Sequence, residues 1–227
     1  MANKIRTALV FTMIFLPLMV FSKDGARVRF CFAGDLMQHG SQIRSAYQPD
    51  GTYLYDTCFS FVTDRFYEAD YTAMNIETTF SGPPYTGYPS FSSPGQLAAA
   101  VKKAGVNVFL TANNHILDKG VRGAYKTLEL YDSLGVYHIG TTRPWIILEK
   151  NGIRTALLNY TYTGNNNNRK DSFRLNLTDT SLIREHIRQV RDKGADCIIC
   201  CMHWGVEYQM YPSPGQRQLA RWLHQEG

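Results

Sequence analysis

The chain has 227 residues, 44% of them hydrophobic and 19% charged, a balance that excludes disorder over most of its length and suits a single globular domain. Its net charge is +5, and no basic stripe interleaved with aromatics accompanies that mild excess, which excludes a nucleic-acid footprint. Five cysteines, an odd number with no framework spacing, exclude a fold stapled by disulfides.

Lys4 and Arg6 precede an apolar run over residues 7–21, about the length of a signal-peptide core and short for a bilayer span. No small-x-small cleavage pattern follows it. Residues 1–22 are therefore expected to be either a signal peptide or a retained N-terminal membrane anchor, with residues 23–227 as the folded domain. Both alternatives export the chain to the periplasm or cell surface, and the second adds membrane contact.

From Ala26 the segment ARVRFCFAGD alternates and then turns apolar, as a strand feeding a polar loop should. Residues 55–68, with Phe59, Val62 and Phe66 at helical spacing, predict one helix, and YTAMNIE predicts the strand after it. The Pro- and Gly-rich stretch SGPPYTGYPSFSSPG reads as an exposed loop that either walls a cleft or crosses the surface. Beyond it, SPGQLAAAVKKAG is a helix closed by Gly105, VNVFLTA a strand, and KGVRGAYKTLELYDSLG a second helix.

Asn151 and Gly152 sit between two apolar runs, a strong signal for an antiparallel hairpin. GNNNNRK reads as a polar, mobile loop, TDTSLIREHIRQVRDKG as a helix capped near Thr178 or Asp179, and ADCIICCMHWG as another strand. Within CIICC, cysteines three apart on a strand face opposite ways and cannot share a metal; they read as buried small apolar residues. SPGQRQLARWLHQEG is a final helix, after which the rhythm calls for a further strand. The domain is accordingly expected to be incomplete at its C-terminus.

Helix and strand alternate through most of this order, which makes the fold class α/β with a mixed sheet. In such sheets ligands bind at the carboxyl ends of strands. Four strand exits here start with a carboxylate, amide or imidazole: FAGDLMQHG, NIETTF, TANNHILDKG and CMHWGVEY. Hard oxygen donors mixed with imidazole nitrogen suit Mn, Fe, Zn or Mg. Taken singly, Asp35 could cap a turn, Glu77 be an exposed charge, His203 a satisfied core histidine, and Asn113 and Asn114 turn formers. Asp118, with Gly120, reads as the cap of the following helix. His186 and His224 read as solvated, and His138 as packed before Gly140.

The motifs GD, NIE, NNHxxDxG and HWGxEY, in this order, resemble the CapA family of capsule and poly-γ-glutamate synthesis proteins, from about Arg27 onward. The most specific element is ANNHILDKG. The resemblance implies a metallophosphatase-like, calcineurin-like phosphoesterase fold: a layered α/β sandwich that uses one or two divalent metal ions. It also implies Asp35, Glu77, Asn114 and His203 as metal ligands, His115 as leaving-group acid, and Glu207 as a base or orienter. Asn113, Asp118, Trp204 and His39 would support them. Two features depart from the metallophosphatase pattern: Met37 stands where a histidine follows the first aspartate by two positions, with His39 two further on, and no paired-histidine motif follows by Gly227.

The function expected from these features is capsule or exopolymer biosynthesis at the cell surface. The protein would be a metal-dependent hydrolase of an ester, phosphoester or amide bond in an anionic polymer or phosphoester substrate. The alternative is a non-catalytic polymer-binding or scaffolding component beside membrane capsule-synthesis partners, and a third reading is a pseudoenzyme fragment.

Overall fold

The computed structural model describes residues 25–165 and 173–227; the leader expected over residues 1–22 and most of the polar loop after Asn165 lie outside them. Among the described residues, seven strands form two sheets. The first is wholly parallel, in the order β1 (Phe30–Leu36), β2 (Tyr71–Ile76), β3 (Val108–Leu110), β4 (Tyr137–Ile139). In the second, β5 (Trp145–Lys150) pairs antiparallel with β6 (Ile153–Thr161), which pairs parallel with β7 (Cys197–His203). Asn151 and Gly152 close the β5–β6 hairpin at φ of 52° and 74°, the left-handed pair that a two-residue hairpin loop demands.

Strand alternation builds four layers. Val108, Leu110, Ile139 and Leu157 point between the sheets, with Ile199 and Cys201 against them. The intervening residues point outward. Phe109 and Met74 pack beneath α3 (Gly95–Lys103) and α4 (Gly120–Leu134), where Val101, Leu128 and Tyr131 are buried. Leu158 and Tyr160 pack beneath α5 (Thr180–Asp192) on Ile183, Ile187 and Val190, with Trp222 and Leu223 of α6 (Pro214–Glu226) at the margin. Each fully buried leucine contributes about 1.5–3 kcal/mol relative to exposure. The architecture is the α/β class that the strand and helix order predicts, arranged as the layered sandwich that the family resemblance implies.

Several local expectations are corrected. Residues 55–68 do not form one helix but a 3₁₀ turn, Asp56–Phe59, and a short α2, Thr63–Tyr67. The Ser60 and Thr63 hydroxyls donate to the carbonyls of Thr57 and Phe59, competing with helical bonding. His186 is buried rather than solvated: its Nδ1 lies 2.9 Å from the Tyr160 hydroxyl, because its face of α5 lies on the sheet. His224 is exposed and His138 buried, as expected. Cys200 and Cys201 enter opposite core layers, whereas Cys197 is exposed at the start of β7. The 81–92 loop is only partly exposed, since Phe91 and Ser92 are buried. No helix among the described residues is long and apolar enough to cross a membrane.

Candidate metal centre

The carboxyl ends of β1, β2 and β7 meet at one end of the gap between the sheets. In β1 the register with β2 slips between Ala33 and Asp35, a bulge at Gly34 of the sort that re-aims a side chain. It sets Asp35 opposite Asn75. Glu77 leaves β2 directly, its N–H donating to the Leu36 carbonyl at 2.9 Å. His203 is the last residue of β7, on the face that Ile199 and Cys201 turn toward the first sheet.

One donor atom from each of Asp35, Glu77 and His203 falls within 4.8 Å of the others. His203 Nδ1 is 3.7 Å from Asp35 Oδ1, and its Nε2 is 3.5 Å from Glu77 Oε1. Asn114 Oδ1 lies 2.7 Å from His203 Nε2, bringing an amide to the same point. With metal–ligand bonds of about 2.0–2.2 Å, small side-chain rotations suffice for one cation to reach the donors.

Electrostatics also fit a cation. Burial, with the neighbouring Asp35 charge, pushes the Glu77 carboxyl up to about 7, although the imidazoles of His203 and His115 pull the other way. Asp35 is held below the ordinary carboxylate range, chiefly by the His203 imidazole beside it. Burial lowers His203, but the nearby carboxylates of Asp35 and Glu77 outweigh it, so its net shift is upward. A buried carboxylate facing a second carboxylate calls for a proton or a cation between them. Two carboxylates, an imidazole and an amide are a donor set for a divalent ion of intermediate hardness.

Two residues that sequence reading passed over hold this cluster. Asn75 Nδ2 donates to Asp35 Oδ1 at 2.7 Å and lies 3.2 Å from His203 Nδ1. Its orientation is set by Asn113, whose Nδ2 donates to Asn75 Oδ1 and the Ile76 carbonyl while its Oδ1 accepts the His115 N–H. The only signal for Asn75 was a polar residue within an otherwise apolar strand. Asn165, from the segment read as a mobile loop, donates through Nδ2 to Asp118 Oδ1 at 3.2 Å, and its N–H donates to the Asn114 carbonyl at 2.7 Å.

His115 sits beside the cluster, its Nε2 3.9 Å from Glu77 Oε1. Behind it, Nδ1 meets Asp118 Oδ2 at 2.7 Å. Asp118 does not cap α4 as expected. Lys119 occupies that position, and the Asp118 carboxylate is buried, accepting the Phe91 N–H at 2.7 Å. Phe91 wedges edge-on against His115, with centroids 4.6 Å apart. His39 also packs on Phe91 and caps α1 (Gly40–Ala46); it lines the cleft with Met37 but is not one of the three clustered donors. Trp204 and Gly205 form the turn after β7, Gly205 at φ 111°. Glu207 is exposed on the rim of the 610 Å³ cleft over the cluster.

A sequence profile described as bacterial capsule synthesis protein PGA_cap matches residues 29–227. The capsule biosynthesis protein CapA of Bacillus anthracis is 26% identical over 217 residues, covering 88% of this chain and 52% of that protein. The PGA biosynthesis protein CapA of Bacillus subtilis (strain 168) is 27% identical over 214 residues, covering 86% and 54%. The chain thus spans about half the length of these relatives. Among solved structures, a candidate 5'-nucleotidase from Staphylococcus aureus, in complex with alpha-ketoglutarate, superposes with a TM-score of 0.52 at 10% identity, covering 87% of this chain and 42% of that one. That likeness is one of fold, and it matches the metallophosphatase-like sandwich expected. By the profile match over residues 29–227, this chain belongs to the bacterial capsule synthesis protein PGA_cap family.

Proposed function

We propose that this chain is an exported, metal-dependent hydrolase of capsule or exopolymer metabolism, cleaving an ester, phosphoester or amide bond at the Asp35–Glu77–His203 cluster. The observation that carries this reading is His115, buried beside the cluster with Asp118 2.7 Å behind it. A histidine held in this way is positioned for proton transfer, and clustered donors without one would suit a purely structural ion.

Asp35, Glu77, Asn114 and His203 would hold the metal. When bound, a divalent ion there supplies Lewis acidity that polarises the scissile group and acidifies water. The chain's own residues do the rest. Asp118 accepts the Nδ1 proton of His115 and so selects the tautomer. In its protonated form, His115 then presents an Nε2 proton to the departing oxygen or nitrogen. Phe91 fixes the ring plane and Asn165 steadies Asp118. Asn75 holds Asp35 and His203 in place for ligation. Glu207, on the rim, would orient substrate or water.

Membership of a capsule synthesis family and the metallophosphatase-like fold support the chemistry, and the basic leader, with Lys4 and Arg6 ahead of its apolar run, supports the compartment. A single three-residue donor cluster among the described residues, with Met37 beside it, favours a second reading: a polymer-gripping component of a membrane synthesis complex.

The deciding experiment incubates the chelated full chain with Mn or Zn, bis-p-nitrophenyl phosphate and p-nitrophenyl acetate, alongside His115→Ala and His203→Ala. Expected are metal-dependent turnover, loss of turnover with metal retained in His115→Ala, and loss of both in His203→Ala. Turnover that ignores chelation or survives His115→Ala would overturn the mechanism, and absence of stoichiometric metal in the parent chain would favour the polymer-gripping reading.

A further inference from the structure

The cleft over the cluster has walls whose chemistry selects among polymers. Among the described residues lining it are the carboxylates of Asp35, Glu77 and Glu207, and neither a lysine nor an arginine. Among the described residues, a polyanion would meet a negative wall with no fixed cation to pair with. A bound divalent ion would offset the charge only at the floor.

Aromatic rings line much of the rest. Tyr162 lies nearly parallel to the His203 ring, with centroids 6.1 Å apart and 26° between planes. Trp204 follows His203, and Tyr208 and Tyr211, 96% and 86% exposed, continue along the segment that leads to α6. Tyr88, 75% exposed, lines the same cleft from the 81–92 loop. Scattered exposed aromatics are ordinary, but rings converging on one cleft form a binding surface. Tyr208 is also held at φ 62°, a conformation an aromatic residue rarely adopts and one that persists where the placement of its ring matters.

We propose that this cleft binds an uncharged stretch of glycan, laid across Tyr162, Trp204, Tyr208 and Tyr211. Sugar rings present C–H faces that stack on aromatic planes and hydroxyl edges that bond to neutral polar groups, here the phenols and the Gln209 amide. Tyr and Trp combine a broad apolar face with a polar edge and so meet both. The inference rests on the hydrolase reading for what happens at the cluster, where a substituent or linkage of the glycan would be presented. Glycan binding itself needs no metal.

The test titrates the full chain with hexamers of β-1,4-linked glucose and of β-1,4-linked N-acetylglucosamine, and with poly-γ-glutamate of similar length. Tryptophan fluorescence and calorimetry are read in chelator at low and high salt. Saturable binding of a neutral hexasaccharide, unchanged by salt, is expected. Tyr208→Ala and Tyr211→Ala should each weaken it by about tenfold, while Tyr208→Phe and Tyr211→Phe largely retain it. Poly-γ-glutamate should not saturate. Failure of both neutral hexasaccharides to bind, binding indifferent to loss of the rings, or salt-sensitive binding of poly-γ-glutamate in their place would overturn the proposal. Because chelator is present, glycan binding in a chain that fails the metal and turnover tests removes only the hydrolase reading. Metal-dependent turnover without glycan binding removes only this one.

Discussion

Asn75 shows how a single buried amide can organise several charged groups. It touches Asp35, lies beside His203, and is oriented through Asn113 by two backbone groups. Asn75→Leu conserves volume but removes those bonds, and metal affinity should fall about 10–100-fold, as when other supporting bonds around a metal are lost. A competition titration against a fluorescent chelator checks this, and unchanged affinity would contradict the role. His115→Asn should lower kcat on a generic ester about 10²–10⁴-fold while leaving metal content intact. Proportional loss of metal and turnover would instead make His115 a ligand. Asp118→Asn should also lower kcat, because an amide that presents Nδ2 to the ring would favour the other histidine tautomer.

Local backbone chemistry decided where several elements begin and end. Asp179 caps α5 by accepting the N–H groups of Ser181 and Leu182 at 2.8 and 2.9 Å. Asp179→Ala should therefore cost about 1 kcal/mol of stability, read as a lower urea midpoint with an unchanged slope. An unshifted midpoint would mean that packing of Ile183, Ile187 and Val190 alone defines that helix start. The Gly34 bulge acts on function: without the slip, Asp35 would pair one position away from Asn75 and its carboxylate would turn toward the other face.

The cluster also couples protonation to the stability of the whole molecule. Glu77 is raised from 4.5 to about 7, so in the metal-free chain its contribution is fully present below pH 4.5 and is lost as pH rises through about 7. His203, also raised, adds loss in the same direction as pH climbs past its folded value. Asp35, lowered, loses its contribution only on strong acidification. Metal binding needs Glu77 ionised and a free nitrogen on His203. Metal affinity should consequently rise with pH, about tenfold per unit below 7 for each proton released. Calorimetry in buffers of different ionisation enthalpy counts those protons, and none released at pH 6 would contradict the assignment. At 100 times its Kd, the ion should stabilise the fold by about 2.7 kcal/mol, giving a thermal shift that His203→Ala abolishes.

Alternation of apolar residues, glycine stops and the Asn151–Gly152 pair were sufficient to predict six of the seven described strands, most helices and the hairpin, because these depend on neighbours a few residues away; the short β4 was not among them. The same reading placed Asp35, Glu77, Asn114, His115 and His203 at strand exits, where side chains leave a sheet's carboxyl edge. Sequence proximity could not reveal that Asp118 turns back onto His115 instead of capping α4, nor that Asn75 and Asn165 hold residues 40 and 47 positions away. It also misplaced His186, whose helix face meets Tyr160 only once α5 lies on the second sheet. Those partners are chosen by the facing of two sheets across a shared core. Local sequence therefore determined the elements and the residue types at their ends, and tertiary packing alone decided which polar side chains face one another.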